Sequence, residues 1–172
     1  MPKMAHSPLP ERLNFQAFPD RDLVLAGQMP ADSMPRLRKA VISTGSSVTV
    51  DLQLVRERHG CRVDGKIACT LGLRCARCLG EVQVRVSPHV RLIACSSLEG
   101  PTETPEDYDL HEYEGHDLEL ARLVEDELLL ALPLVPKHED ISLCDQGMIA
   151  WLGSKGRVSG PARNPFAVLK RS

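Results

Sequence analysis

Aromatic residues are scarce in this chain: one Trp, two Tyr and three Phe among 172 residues. The core must therefore be built from Leu, Val, Ile and Ala, and there are too few rings for a platform that stacks nucleobases. Long apolar runs are missing too. Nothing approaches the ~20 residues of a membrane span, and the opening "MPKMAHSPLPERLNF" has no apolar signal core of the usual length. The expected compartment is the cytoplasm, where thiols stay reduced. Six cysteines, Cys61, Cys69, Cys75, Cys78, Cys95 and Cys144, are then no case for disulfides despite their even number. There is also no Gly-rich phosphate loop, nucleophile elbow or His-Glu-x-x-His. A nuclease, hydrolase or thiol oxidoreductase lacks its usual machinery here, so the expectation is a protein that is not an enzyme and has no small-molecule substrate.

What is present is an uneven distribution of charge. The formal net charge is −2, yet residues 99–127 hold twelve acidic residues and one basic one, leaving −11 there and +9 elsewhere. Between Arg36 and Arg91, eleven Arg or Lys face four Asp or Glu. Such a division steers charged partners even when the total is near zero.

The apolar pattern is β-rich in the middle. "DLVLAGQM" (22–29) reads as a short strand, and "ADSMPRLRKAV" as a helix start with Ser33 as cap and Pro35 in the first turn. In "SSVTVDLQLVRE" (46–57), Val48, Val50, Leu52 and Leu54 alternate with Thr49, Asp51 and Gln53, the period of a strand with one wet face. "CRVDGKIACTLGLRC" (61–75) is a second strand, with Gly65 as a candidate bulge. "EVQVRVSPHVRLIAC" (81–95) supplies a third. Further on, "DLELARLVEDELLLALP" places Leu120, Val124, Leu128 and Ala131 at helical spacing, stopped by Pro133 and Pro136. Glu125, Asp126 and Glu127 are expected on its outward, acidic face. The predicted fold is α+β: an antiparallel β-meander packed by one long amphipathic helix and a shorter N-terminal helix, with a flexible acidic linker and tails. Its predicted organisation is a loose arm over 1–20 and one domain over 21–152, with the acidic linker at 98–116. A tail over 153–172 ends in "NPFAVL".

Two clusters invite a functional reading. Arg56, Arg58, Arg62, Arg74, Arg77, Arg85 and Arg91 fall at polar strand positions or in turns. They either solvate a sheet face or offer an RNA-binding or acidic-partner surface. Cys75 and Cys78, in "LRCARCLGEV", have the spacing of a metal knuckle, a redox couple or two idle thiols in a turn. The redox reading is the weakest, because a reactive pair normally opens a helix and this one lies between strands.

The order of these pieces resembles the YceD family of large ribosomal RNA subunit accumulation proteins. The resemblance is carried by the Cys-x-x-Cys after a strand, "DLELARLVEDELLLALPLVPKH" after an acidic stretch, a later Cys144, and the closing "NPFAVL". It implies a cytoplasmic, non-enzymatic factor in the synthesis, processing or stability of 23S rRNA. The implied partners are large-subunit rRNA, a basic ribosomal protein, or both, with Asn164, Pro165 and Phe166 as a further docking element. It also implies a metal set: many members carry ligands after the leucine-rich helix, and His138 and Cys144 fall at such positions. Cys75, Cys78, His138 and Cys144 would form a closed Cys₃His site for one structural zinc ion. This chain departs from that pattern in the His138-x₅-Cys144 spacing, and in Leu79, which stands before Gly80 and would loosen the knuckle. A zinc-stabilised protein–protein module without RNA contact is the alternative.

Overall fold

The computed structural model describes residues 9–14, 22–45, 47–57, 60–96, 105–115 and 117–155. Nine strands and three helices follow in order: β1 (Arg12–Asn14), β2 (Leu23–Met29), α1 (Pro35–Ala40), β3 (Ser43–Thr44), β4 (Val48–Glu57) and β5 (Gly60–Arg74). Then come β6 (Glu81–Val86), β7 (His89–Ser96), β8 (Asp109–Tyr113), β9 (Asp117–Glu119), α2 (Leu120–Leu130) and α3 (Gln146–Lys155). Short 3₁₀ turns occupy Ala31–Ser33 and Ile141–Leu143.

The seven-stranded sheet runs β2-β4-β5-β7-β8, and β3 and β6 pair with the far end of β5. Strand β5 is the spine: its first half lies between β4 and β7, its second half between β3 and β6. The alternation seen in the sequence decides the faces. Val48, Val50, Leu52 and Leu54 are buried, while Thr49, Asp51 and Gln53 are exposed. Against the buried face lie Leu37 of α1 and Leu120, Leu123, Val124 and Leu128 of α2, forming one apolar cluster with the sheet. Gly65 marks no bulge, since the β4–β5 register is continuous through Leu52↔Gly65. A Cβ there would lie 2.1 Å from the Asp51 carbonyl oxygen, and φ is 153°. Glycine is needed for the close approach of β4.

The α+β class holds, but several expected details do not. The sheet is not a purely antiparallel meander, because β8 pairs with β7 in parallel. That strand lies inside the expected 98–116 linker. Its entry is fixed by Tyr108, whose hydroxyl donates to Asp64 at 3.3 Å and whose ring sits under the Arg91 guanidinium at 5.0 Å. Part of the expected loose arm is also ordered, with Arg12–Asn14 pairing antiparallel with Asp117–Glu119. The expected long helix spans eleven residues, and α3, of ten residues, runs past the expected domain end at 152. Ser33 does not cap α1. Met34 occupies that position, and the Ser33 hydroxyl donates to the Pro30 carbonyl at 2.7 Å. Among the described residues no helix is long and apolar enough to cross a membrane. The expected docking element Asn164, Pro165 and Phe166 lies outside the described residues, as does Arg58.

Candidate metal centre

Strand β5 ends at Arg74, and the chain turns back into β6 through residues 75–80. The turn is tight: the Cys75 amide donates to Gly80 O at 2.8 Å, and the Leu79 amide to Cys75 O at 2.9 Å. The Arg77 amide reaches the Cys75 sulfur at 3.4 Å. Such N–H···S contacts favour a thiolate over a thiol. The expected loosening at Leu79 does not occur. Leu79 itself takes the left-handed conformation, φ 61°, that this turn requires, at a cost of about 1–2 kcal/mol relative to glycine. The pair precedes no helix, which removes the setting of a reactive redox couple.

The other half arrives from the end of α2. Pro133 stops the helix, and the chain doubles back so that the Ala76 amide donates to Pro136 O at 2.7 Å. This places the His138 ring against the knuckle, with Nδ1 3.7 Å from Cys78 Sγ and 3.5 Å from Cys144 Sγ. The 3₁₀ turn at Ile141–Leu143, capped by the Asp140 carboxylate on the Ser142 amide at 2.7 Å, carries Cys144 inward. All four ligand atoms of Cys75, Cys78, His138 and Cys144 lie within 4.8 Å of one another, so the cluster can hold a metal ion.

Two observations fit these residues to a tetrahedral ion. With metal–sulfur and metal–nitrogen bonds of about 2.3 and 2.05 Å, the S···N edge of a tetrahedron is about 3.5–3.6 Å; the measured contacts bracket it. The His138 ring also presents the correct nitrogen. Its Nε2 lies 3.1 Å from the Glu81 carbonyl oxygen, which can only accept. Nε2 therefore carries the proton, and the Nδ1 lone pair faces the sulfurs, as in a metal-bound histidine whose other nitrogen donates to a carbonyl. Burial alone would raise the Cys75 pKa, but amide donors from Cys78, His138 and Arg77 bring it below its ordinary value. Cys144 is pushed up to about 11, first by burial and then by the two neighbouring cysteines. Three sulfurs at these separations cannot all ionise without a cation between them.

Around the site Leu73, Val82 and the three cysteines form a second apolar cluster, separate from the main core, against which Leu132, Met148 and Ile149 pack. The clasp thus joins the β5–β6 turn to the segment after α2. Cys61, Cys69 and Cys95 are buried elsewhere, as expected for sheet residues. Burial pushes Cys61 to about 12 and Cys69 to about 11.

Among the described residues, four of the candidate arginines already have polar partners. Arg62 pairs with Glu57 at 3.7 Å, and Arg91 with Asp64 and Asp107 at 3.8 Å each. Arg74 and Arg77 turn to carbonyl oxygens of Leu79 and His138. Arg56 is in register with Cys61, on the opposite face from Arg62. Arg85 shares the wet face through its register with Thr70. One of these contacts, Arg91 with Asp107, joins the acidic segment to the basic stretch, whereas Glu57 and Asp64 belong to the basic stretch itself.

The acidic trio divides as well. Glu125 is not outward-facing but 3% exposed. Its carboxylate accepts the α1 amides of Arg36 at 2.5 Å and Leu37 at 2.9 Å, and Arg36 Nε at 2.9 Å. A buried carboxylate from α2 thus replaces the missing cap of α1. Asp126 pairs with Arg36 at 2.5 Å. Glu127 is half-buried, its pKa raised by burial and then by Asp109 and Asp126.

Residues 63–171 match the family described as large ribosomal RNA subunit accumulation protein YceD. A relative from Haemophilus influenzae, named large ribosomal RNA subunit accumulation protein YceD, is 30% identical over 153 residues, covering 87% of this chain and 87% of its own. No solved structure matches the chain significantly.

Proposed function

This chain belongs to the YceD family of large ribosomal RNA subunit accumulation proteins, and from that premise we propose that it is a non-enzymatic, cytoplasmic factor for large-subunit rRNA. It acts as a scaffold, holding a component of the immature particle and carrying out no reaction on it. The single observation that carries this reading is the closed ligand set: four protein donors, three of them buried cysteines, with no position left for substrate. Closed sets of this kind are structural, whereas catalytic zinc keeps an open coordination position. Zinc is the ion we assign, since thiolates and imidazole at tetrahedral separations suit it. When bound it would fasten residues 138 and 144 to the β5–β6 turn and add its binding energy to folding.

Between the two kinds of partner, a basic ribosomal protein is favoured over direct rRNA binding by the sheet. Arg62 and Arg91 already face carboxylates, so gripping phosphate there would first require breaking those pairs. The scaffold would thus affect rRNA through a protein that must be delivered to it.

The test is made in cells that produce this protein. Loss of its gene is expected to lower large-subunit rRNA relative to small-subunit rRNA, and the wild-type chain to restore the ratio. An unchanged ratio removes the reading. Titration of the purified chain with rRNA fragments checks the preference: tight, salt-sensitive binding that persists when Arg62 and Arg91 are intact and vanishes when both become Ala would reverse it.

A further inference from the structure

The edge of the sheet at β8 carries a feature that the metal centre does not use. Strand β8 is the last in its sheet, bound only to β7, and no strand covers its outer edge among the described residues. Two cavities of about 610 and 530 Å³ adjoin there, sharing His111 as a lining residue. Arg122, Asp126 and Leu129 line them from α2, one stripe of that helix at i, i+4 and i+7. Together they touch every residue of β8 and are bounded by α2, the second reaching Leu92 of β7 as well; we take the two as one trough.

We propose that this trough takes an extended, lysine- and arginine-rich protein segment, which adds as a further strand to the free edge of β8. The inference rests on the reading that the partner is a basic ribosomal protein, and names where and how that partner is held.

Charge is the first reason. Glu112, Glu114, Asp117 and Glu119 line one cavity, and Asp109, Asp126 and Glu127 the other. Of the three arginines that line them, Arg12 is committed to Glu119 at 3.0 Å and Arg36 to Glu125 and Asp126, leaving Arg122 against seven carboxylates. Burial lowers the His111 pKa, so this ring is neutral near pH 7. Among the described residues, Asp109, Glu112 and Glu114 make no ion pair, and Asp117 Oδ1 is a buried carboxylate oxygen with no hydrogen-bond partner. An excess of acceptors over donors calls for a donor-rich, cationic occupant. Phosphates would be repelled, which rules this surface out for rRNA.

Geometry is the second. An edge strand offers alternate backbone N–H and C=O groups, which only an extended chain can satisfy together. Acidic residues on an edge also discourage copies of the same chain from pairing there, so the occupant must differ in charge from this protein's own strands. Apolar contact is on offer as well: Leu110 is 46% and Leu130 is 82% exposed at one end of the trough. A segment alternating basic and aliphatic residues would satisfy both.

The probe is a fluorescein-labelled peptide of alternating lysine and valine, titrated against the full chain by anisotropy, with deuterium exchange followed in parallel. Binding is expected to weaken with salt and to slow exchange of the amides at 109–113. The double substitution Glu112→Lys with Glu114→Lys alters two exposed residues and should weaken binding about tenfold or more. Asp22→Lys with Asp51→Lys, the same change in net charge on exposed sites at the β2–β4 end of the sheet, should leave it within about twofold. Equal losses from both pairs would reduce the effect to net charge and overturn the inference, as would binding without protection of 109–113. If the wild-type chain restores large-subunit rRNA in cells yet binds no such peptide, the trough inference falls while the functional reading stands. If the peptide binds as described but rRNA never depends on the protein, the trough survives and the functional reading does not.

Discussion

Removing the metal should release one part of the molecule and leave the rest folded. Residues after Pro133 comprise a 3₁₀ turn and the ten-residue α3. Their apolar anchorage is small: Met148 and Ile149 are only partly buried, on a cluster whose other members are chiefly the cysteines themselves. Full burial of such a side chain contributes at most about 1.5–3 kcal/mol. Ordering the backbone costs about 1–2 kcal/mol per residue before side chains are counted. Two partial anchors and a few hydrogen bonds hold a segment of this length weakly, so an ion in the cluster would be its main fastening. The main cluster, by contrast, closes without any ligand residue. A zinc chelator, or Cys144→Ser, is therefore expected to abolish exchange protection over 137–155 and 75–80 while β4, β5 and β7 stay protected. Thiol labelling gives a second readout. Cys75, Cys78 and Cys144 should become reactive together, while Cys61, Cys69 and Cys95, buried in the sheet region, should stay unlabelled until global unfolding. The reasoning fails if chelation releases metal and changes no protection, or if β4 and β5 open along with α3.

Four other outcomes are expected. Glu125→Ala removes the acceptor of two α1 amides and should cost about 3 kcal/mol in urea unfolding, at roughly 1–3 kcal/mol per orphaned buried donor; a loss below about 1 kcal/mol would show that water replaces the carboxylate. Leu79→Gly relieves the left-handed φ of a side chain that is 52% exposed, so the melting point of the metal-loaded protein should rise with a gain of about 1 kcal/mol, and a fall would contradict it. Gly65→Ala would set its Cβ 2.1 Å from Asp51 O and should cost about 3 kcal/mol or more, read as loss of folded protein by circular dichroism; normal stability would mean that the sheet yields there. His111 is depressed below its ordinary 6.5, by burial and by Arg122 against the opposing pull of Asp126, so as pH falls through about 6.5 the unfolded chain takes up its proton first. Stability is thus fully present above that range and declines below it; His111→Gln should flatten the decline, and an identical pH dependence in both proteins would remove His111 as its source.

The strands between 48 and 74 were legible because a strand with one wet face writes its burial into every second residue. Helix α2 was legible for the same reason at another period. By contrast, 81–95, read as one strand, breaks at Ser87 and Pro88 into β6 and β7, which pair with different halves of β5. What escaped was non-local. Nothing near Glu125 signals burial, since its partners are amides some 88 residues away. Residues 109–113 read as acidic linker because their pairing depends on an edge supplied by β7, and on Arg91 standing ready for Asp107. The charge map is incomplete in the same way: composition records how many charges there are, and only the fold decides which of them meet. Of the four clustered residues, spacing gave Cys75 and Cys78, while His138 and Cys144 came through resemblance alone. Helix α3 lacked a clear apolar stripe of its own, as expected of an element held by a neighbouring clasp.

Placing a photo-crosslinking amino acid at position 112, on the exposed side of β8, and irradiating growing cells tests most directly how this protein serves the large subunit. The account expects the attached species to be a basic large-subunit ribosomal protein, joined through a lysine- or arginine-rich stretch. Crosslinks dominated by rRNA at that position would contradict it.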